Sequence, residues 1–277
     1  MLTDTGYIMK RRIAVLCVAM LTLAGCETVQ TTEGGAVGVD RTQHMSISAS
    51  EINAAAAQSY RETLQEASSK GVLNRNGGQV NRVRAVANRL IPAAGAFRPD
   101  SLRWAWEVNV ITSKEINAWC MPGGKIAVYT GLIETLQLSD AELAAVMGHE
   151  IAHALREHGR EKASQQQAQN LVIGVGAALL GVGQVGASLA NLAAQVTYGL
   201  PNSRAFEREA DRIGVELAAR AGYDPRASIT LWQKMGQASG NGAPSFLSTH
   251  PSAADRITDL QRYSQQVMPL YQASQRR

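Results

Sequence analysis

The run His149-Glu150-Ile151-Ala152-His153 places two imidazoles four residues apart, with a carboxylate beside the first. On a helix such residues share a face, so both rings can approach one ion together. Imidazole is a good zinc ligand, and catalytic zinc takes three protein ligands while keeping a position for water. Glu150 adjoins the first ligand and can reach that water as a general base. The metal lowers the water's pKa to about 7, so hydroxide can attack a peptide carbonyl at neutral pH. These five residues therefore suggest metal-assisted peptide hydrolysis.

A third ligand must come from elsewhere. The long metzincin motif needs a glycine three residues after His153 and a histidine six after it. The chain has Arg156 and Gly159 there, which excludes that class. A glutamate on a later helix is the alternative, and Glu207-Arg208-Glu209-Ala210-Asp211 supplies one.

Together, the two motifs resemble those of the zinc metallopeptidase family that includes the CAAX prenyl proteases, HtpX, LoiP and BepA. The resemblance implies that Glu207 is the third zinc ligand and that Asp211 holds a ligand imidazole. Glu209 lies about 160 degrees around a helix from Glu207, which points it away from the metal. The segment Asn117-Ala118-Trp119-Cys120-Met121-Pro122-Gly123-Gly124 matches the family's edge strand ahead of the catalytic helix. Its backbone could pair with an extended substrate, and an ordinary strand and turn fits the same residues. Ser203-Arg204, and Ser248-Thr249-His250-Pro251 with Arg256, match two further segments.

By the same resemblance His250 joins Glu150 and Asp211 as a catalytic candidate. It can occupy the water position or steady the transition state, and a packing histidine is the plainer reading. Arg256 is a candidate ion-pair partner for Asp211. His158, about 140 degrees around the helix from His153, should miss the metal. Cys120 is expected to pack as a small apolar side chain. The resemblance spans roughly residues 47–260 and is nearest to LoiP-like outer-membrane lipoproteins. It implies one Zn2+ per chain and endoproteolysis of unfolded or misassembled envelope proteins.

These residues need elements to hold them. Ser139 with Glu142 three residues on is a capping box, and Leu143, Val146, Met147, Ile151 and Leu155 recur at helical spacing. The pattern predicts a helix from Asp140 to about Arg160. A second helix, Ser203 to Ala221, stops at Gly222. Helical patterns also cover 48–68 and 79–94, the latter broken by Pro92. Strands are predicted at Trp104 to Ile111, Glu115 to Met121 and Lys125 to Thr130, with Pro122-Gly123-Gly124 as a turn. The fold class is α+β and mainly helical, a zincin-like domain with a small sheet packed beside the zinc helix. Residues 171–200 are apolar, with six glycines and no charge. A buried or lid-like helical hairpin beside the active site is preferred there over a membrane span.

The N-terminus reads as an address. Met9-Lys10-Arg11-Arg12 and the apolar run Ile13 to Ala24 have the layout of a bacterial secretory leader starting at Met9. It ends in Leu23-Ala24-Gly25-Cys26, which resembles a lipobox, so residues 1–25 are expected to be cleaved and Cys26 acylated. Glu27 in place of aspartate implies the outer membrane, facing the periplasm. Residues 26–46 read as a flexible tether containing His44, and 47–277 as the peptidase domain. The formal charge of +4 falls to about +2 without the leader, and no block of like charge supports nucleic-acid binding. Expected partners are envelope proteins, the membrane through the lipid, and outer-membrane assembly machinery. An assembly chaperone with little proteolysis and a structural lipoprotein are the rivals.

Overall fold

The computed structural model describes residues 27–179, 202–238, 244–251 and 255–276. The expected leader, Cys26 and most of the 171–200 stretch lie outside the described residues. Two short strands, β1 (Glu27–Val29) and β2 (Gln43–Met45), form an antiparallel pair. Helices α1 (Ala49–Ser69) and α2 (Gly77–Ala94) follow, then a 3-10 turn at Pro99–Arg103. A three-stranded sheet is built from β3 (Glu107–Ile111), β4 (Ala118–Met121) and β5 (Lys125–Tyr129). Its order is β3-β5-β4, with β3 parallel and β4 antiparallel to β5. Among the described residues the remaining elements are helices: α3 (Thr130–Thr135), α4 (Asp140–Leu155), α5 (His158–Leu179), α6 (Arg204–Arg220), α7 (Ala227–Ala238), α8 (Ser245–Thr249) and α9 (Arg256–Ser274). The domain is thus α+β and mainly helical.

Helix α4 is the hub. The Ser139 hydroxyl accepts from the Glu142 amide at 3.3 Å, and the Glu142 carboxylate accepts from the Ser139 amide at 2.8 Å. This reciprocal cap satisfies two amide donors at the helix start. Leu143, Met147, Ile151 and Leu155 lie fully inside the main core, as does Val128 of the sheet. α4 packs most extensively on α6. At the crossing, a Cβ on Gly148 would lie 2.9 Å from the Gly214 carbonyl oxygen, so the two backbones meet with no side chain between them. The sheet lies on the other flank, through β4. Gly123 and Gly124, both with φ near +80°, make the turn between β4 and β5.

Several expectations need correction. Residues 27–46 are not a tether: Thr32, Val37, Val39, Gln43 and Met45 are buried against the domain. The Val37 amide donates to Glu216 and the Glu33 amide to the Phe97 carbonyl. Val37 and Val39 join the main core, and polar bonds to α5 and α6 hold other parts of the segment. Pro92 does not break α2; it removes one backbone donor two residues before the helix ends. Trp104 and Trp106 stand outside β3, because the 3-10 turn takes the Trp104 amide and the Trp106 indole donates to the Ser101 carbonyl. α4 stops at Leu155, not near Arg160. Glu157 there adopts φ +51°, and its carboxylate is held by Arg98 at 2.6 Å and Arg160 at 2.8 Å. Among the described residues, no helix is long and apolar enough to cross a membrane.

Candidate metal centre

Helical spacing on α4 brings the Nε2 atoms of His149 and His153 to 3.1 Å. Glu207, in the first turn of α6, reaches both: its carboxylate lies 3.5 Å from His149 Nε2 and 3.3 Å from His153 Nε2. Ser203 caps that helix by accepting from the Phe206 amide at 3.2 Å, which fixes where its first turn begins. His250, just beyond α8, completes the group, with Nδ1 3.0 Å from Glu207 and 3.2 Å from His149 Nε2. Its ring stacks on Phe246 at 4.2 Å. One ligand atom from each of these four buried residues falls within 4.8 Å of the others, which makes them a possible metal site.

Proton bookkeeping tests whether a cation fits. His149 Nδ1 faces Asp211 at 3.0 Å, and His153 Nδ1 faces His158 Nδ1 at 2.8 Å. With each Nδ1 donating outward, both Nε2 atoms present lone pairs across 3.1 Å, and the Glu207 carboxylate adds a third acceptor. Apart from donors at the rim, His250 Nδ1 and the Asn202 amide, the three acceptors converge on one another, an arrangement a cation satisfies. The separations approach the roughly 3.3 Å expected between zinc ligands bonded at about 2.0 Å in a tetrahedron. Nitrogen and carboxylate donors suit zinc.

The electrostatics agree. Burial disfavours the imidazolium at His149, but hydrogen bonds to Asp211 and Glu207 outweigh it and raise the pKa to about 9 without metal. A metal binding there must displace that proton. Burial holds His153 well below its ordinary range. Burial alone would raise Glu207, yet His250, His149 and His153 pull it well down. Glu150 is fully enclosed, which pushes its carboxyl up, and its Oε1 has no hydrogen-bond partner. His250 Nε2 stands 3.5 Å from that oxygen.

Around the group, Arg256 donates to Asp211 at 2.7 Å and approaches Glu207 at 3.1 Å. Its guanidinium lies 3.2 Å above the Trp232 ring. Among the described residues β4 lies at the edge of its sheet, with all four side chains buried. Trp119 reaches the site and, with Glu150, His153, His158, Asn202 and His250, lines a space of about 30 Å3. That is room for a water molecule and not for a peptide. Cys120 is a buried free thiol outside the metal group, and His44 is exposed on β2.

Sequence reasoning set His158 and Glu209 aside, and both stay out of the metal group. His158 is nevertheless hydrogen-bonded to the group, and Glu209 to His158. His158 Nε2 meets Glu209 at 3.1 Å while His158 Nδ1 meets His153. The helix break at Glu157 turns His158 back, which a continuous-helix projection cannot anticipate. The signal available beforehand was a surplus histidine and a surplus glutamate, each close in sequence to a proposed ligand.

The profile of Peptidase family M48 matches residues 78–264. The chain is similar to the mitochondrial metalloendopeptidase OMA1 of Arabidopsis thaliana, 41% identical over 152 residues, 55% of this chain and 30% of that one. OMA1 of Schizosaccharomyces pombe is 37% identical over 186 residues, 65% of this chain and 52% of its own. The putative beta-barrel assembly-enhancing protease of Vibrio cholerae is 32% identical over 174 residues, 58% of this chain and 35% of its own. The chain thus spans between 30% and 52% of these relatives' lengths. With the match covering most of the chain and enclosing every residue of the metal group, the protein belongs to Peptidase family M48.

Proposed function

We propose that this chain is a zinc-dependent endopeptidase acting on misfolded or misassembled proteins of a bacterial envelope. The observation that carries the reading is the convergence of His149, His153 and Glu207 as three acceptors beside the buried Glu150 carboxylate, whose Oε1 makes no hydrogen bond. Zinc held by these three residues would supply a Lewis acid for the scissile carbonyl and an acidified water. Glu150 takes a proton from that water and passes it to the leaving amine. Burial raises its pKa, which makes it a stronger proton acceptor than an exposed carboxylate. His250, between Glu150 and Glu207, occupies the approach to both. Asp211 fixes His149 by accepting from its Nδ1. Strand β4 offers an edge for an extended substrate, with Asn117, Ala118, Trp119, Cys120 and Met121 as the recognising segment.

The compartment rests on the leader pattern and on the beta-barrel assembly-enhancing name of some relatives; others are named for mitochondria. We place the protein at the outer membrane, on its periplasmic face, anchored through Cys26. Because β1 begins at Glu27, such a lipid would hold the domain against the bilayer with no spacer. A Cys26→Ser variant should lose both lipid labelling and membrane fractionation, and an unlabelled wild type would refute the anchor.

A second reading, an assembly chaperone that cuts rarely, draws support from the beta-barrel assembly-enhancing name of some relatives. Purified protein should contain one zinc per chain and cleave casein. Glu150→Gln should keep the zinc and lose cleavage by about 10²- to 10⁴-fold. Undiminished cleavage by Glu150→Gln would sink the mechanism; holding activity without cleavage in the wild type would favour the chaperone.

A further inference from the structure

Each histidine of the HExxH pair has an outward Nδ1. For His149 the partner is Asp211, held by Arg256. For His153 the partner is His158, a residue to which the family motifs assign no role. The second chain is longer, and its hydrogen bonds have a definite direction. If His153 uses Nε2 toward the metal, its Nδ1 carries the proton and donates to His158 Nδ1 at 2.8 Å. His158 must then carry its own proton on Nε2, which donates to Glu209 at 3.1 Å. Glu209 ends the chain as a carboxylate accepting from Arg156 at 2.9 Å and from Arg41. Every donor in this sequence has an acceptor.

The far end is anchored by residues that precede the family match, which begins at residue 78. Arg41 bridges two helices, donating to Glu209 on α6 and, through two nitrogens at 2.7 and 2.8 Å, to Glu161 on α5. Gln43 donates to Glu161 and to the Arg156 carbonyl. Arg156 is fully buried and also donates to the Arg41 carbonyl at 2.8 Å. The His158 ring is clamped face to face on Phe206, 4.4 Å away and 8° from parallel. An imidazole held this way can neither rotate nor exchange its bonding edge without leaving a buried polar atom unpaired.

We propose that His158, Glu209 and Arg41 are positioning residues for the metal site. A directed chain from His153 through His158 to Glu209, locked by the N-terminal segment, sets the tautomer and aim of His153. This rests on the reading that His153 binds zinc. The N-terminal segment is accordingly part of the metal site's support, with a role that packing alone would not give it.

The test compares two substitutions whose effects on packing and on hydrogen bonding run in opposite directions. His158→Phe keeps an aromatic ring on Phe206 and removes the acceptor for the His153 proton. His158→Gln loses the stacking but retains an amide oxygen that can accept. Zinc affinity of the full chain is measured by chelator competition, the ligand field by visible absorption after Co2+ loading, and fold by metal-free thermal melting. His158→Phe should weaken zinc roughly 10- to 100-fold with an altered Co2+ spectrum. His158→Gln should bind zinc more tightly than His158→Phe even where it melts lower. Arg41→Met should weaken zinc in the same direction. A purely packing role predicts the reverse order, with His158→Phe near wild type, and that result overturns the proposal. Wild-type affinity in all three variants overturns it too, while leaving the metal site standing. A wild-type chain that takes no zinc overturns the metal reading itself, and this proposal with it.

Discussion

Gly148 and Gly214 touch through their backbones: a Cβ built on Gly214 would lie 2.8 Å from the His149 amide nitrogen. This contact brings α4 and α6 close enough for Glu207 to reach His149 and His153. Gly214→Ala is expected to destabilise the chain by about 1–3 kcal/mol, because backbone atoms cannot yield as a flexible side chain can. Alanine's better helix propensity, about 1 kcal/mol, opposes this and is the smaller effect. Zinc stoichiometry should fall as well, although neither glycine touches the site. Urea denaturation with metal analysis checks both, and a Gly214→Ala chain as stable as wild type would count against the close crossing.

Arg256 is buried between the Asp211 and Glu207 carboxylates and lies over Trp232. Arg256→Met removes the cation and leaves two buried carboxylates without it. Breaking such a pair costs about 3–5 kcal/mol. The loss should be greatest in the metal-free chain, since a bound cation compensates Glu207. Melting curves of the variant with and without zinc should therefore lie further apart than those of the wild type.

Acid stability should report Glu209. Burial alone would raise its carboxyl, but His158, Arg41 and Arg156 outweigh burial and hold it at about 2, against an ordinary 4.5. A depressed carboxylate pKa stabilises the fold above the unfolded value, and that contribution is lost as pH falls from about 4.5 toward 2. Its size is on the order of 2 kcal/mol once solvent screening is allowed for. Glu209→Gln should flatten the stability curve between those limits, as measured by denaturation at a series of pH values. A variant curve parallel to wild type would rule the linkage out.

Removing metal should cost stability and activity together. Zinc at a thousandfold its Kd stabilises a chain that binds it only when folded by about 4 kcal/mol. EDTA treatment should therefore lower the melting temperature and abolish cleavage. Zinc should restore both, whereas magnesium should not, because imidazole-rich sites disfavour it.

The core of the site was legible locally. The HExxH spacing, the Ser139 and Glu142 cap and the apolar rhythm of α4 all follow from helix geometry, which needs only neighbours in sequence. Glu207 and Asp211 were reached through resemblance, and the structure sets both beside the HExxH pair. The strands were located but drawn too long, because competing bonds at Ser101 and Ser113 hold back the residues ahead of β3 and β4.

By itself, then, the sequence determined the two imidazoles, the adjacent carboxylate and the helix that aligns them. Each of these depends on the 3.6-residue turn and on a cap three residues wide. Tertiary structure alone decided that a glycine crossing brings α6 to α4, that Glu157 turns the chain so His158 faces His153, and that Arg41 closes over Glu209. The first and last of those relations join residues 66 and 168 positions apart, and the second depends on a left-handed residue that interrupts the helical rhythm, so none leaves a periodic trace along the chain. The expected tether gave way for a related reason: beside the scattered Val37, Val39 and Met45, its packing uses Arg41, Gln43 and Thr32, residue types equally at home in solvent.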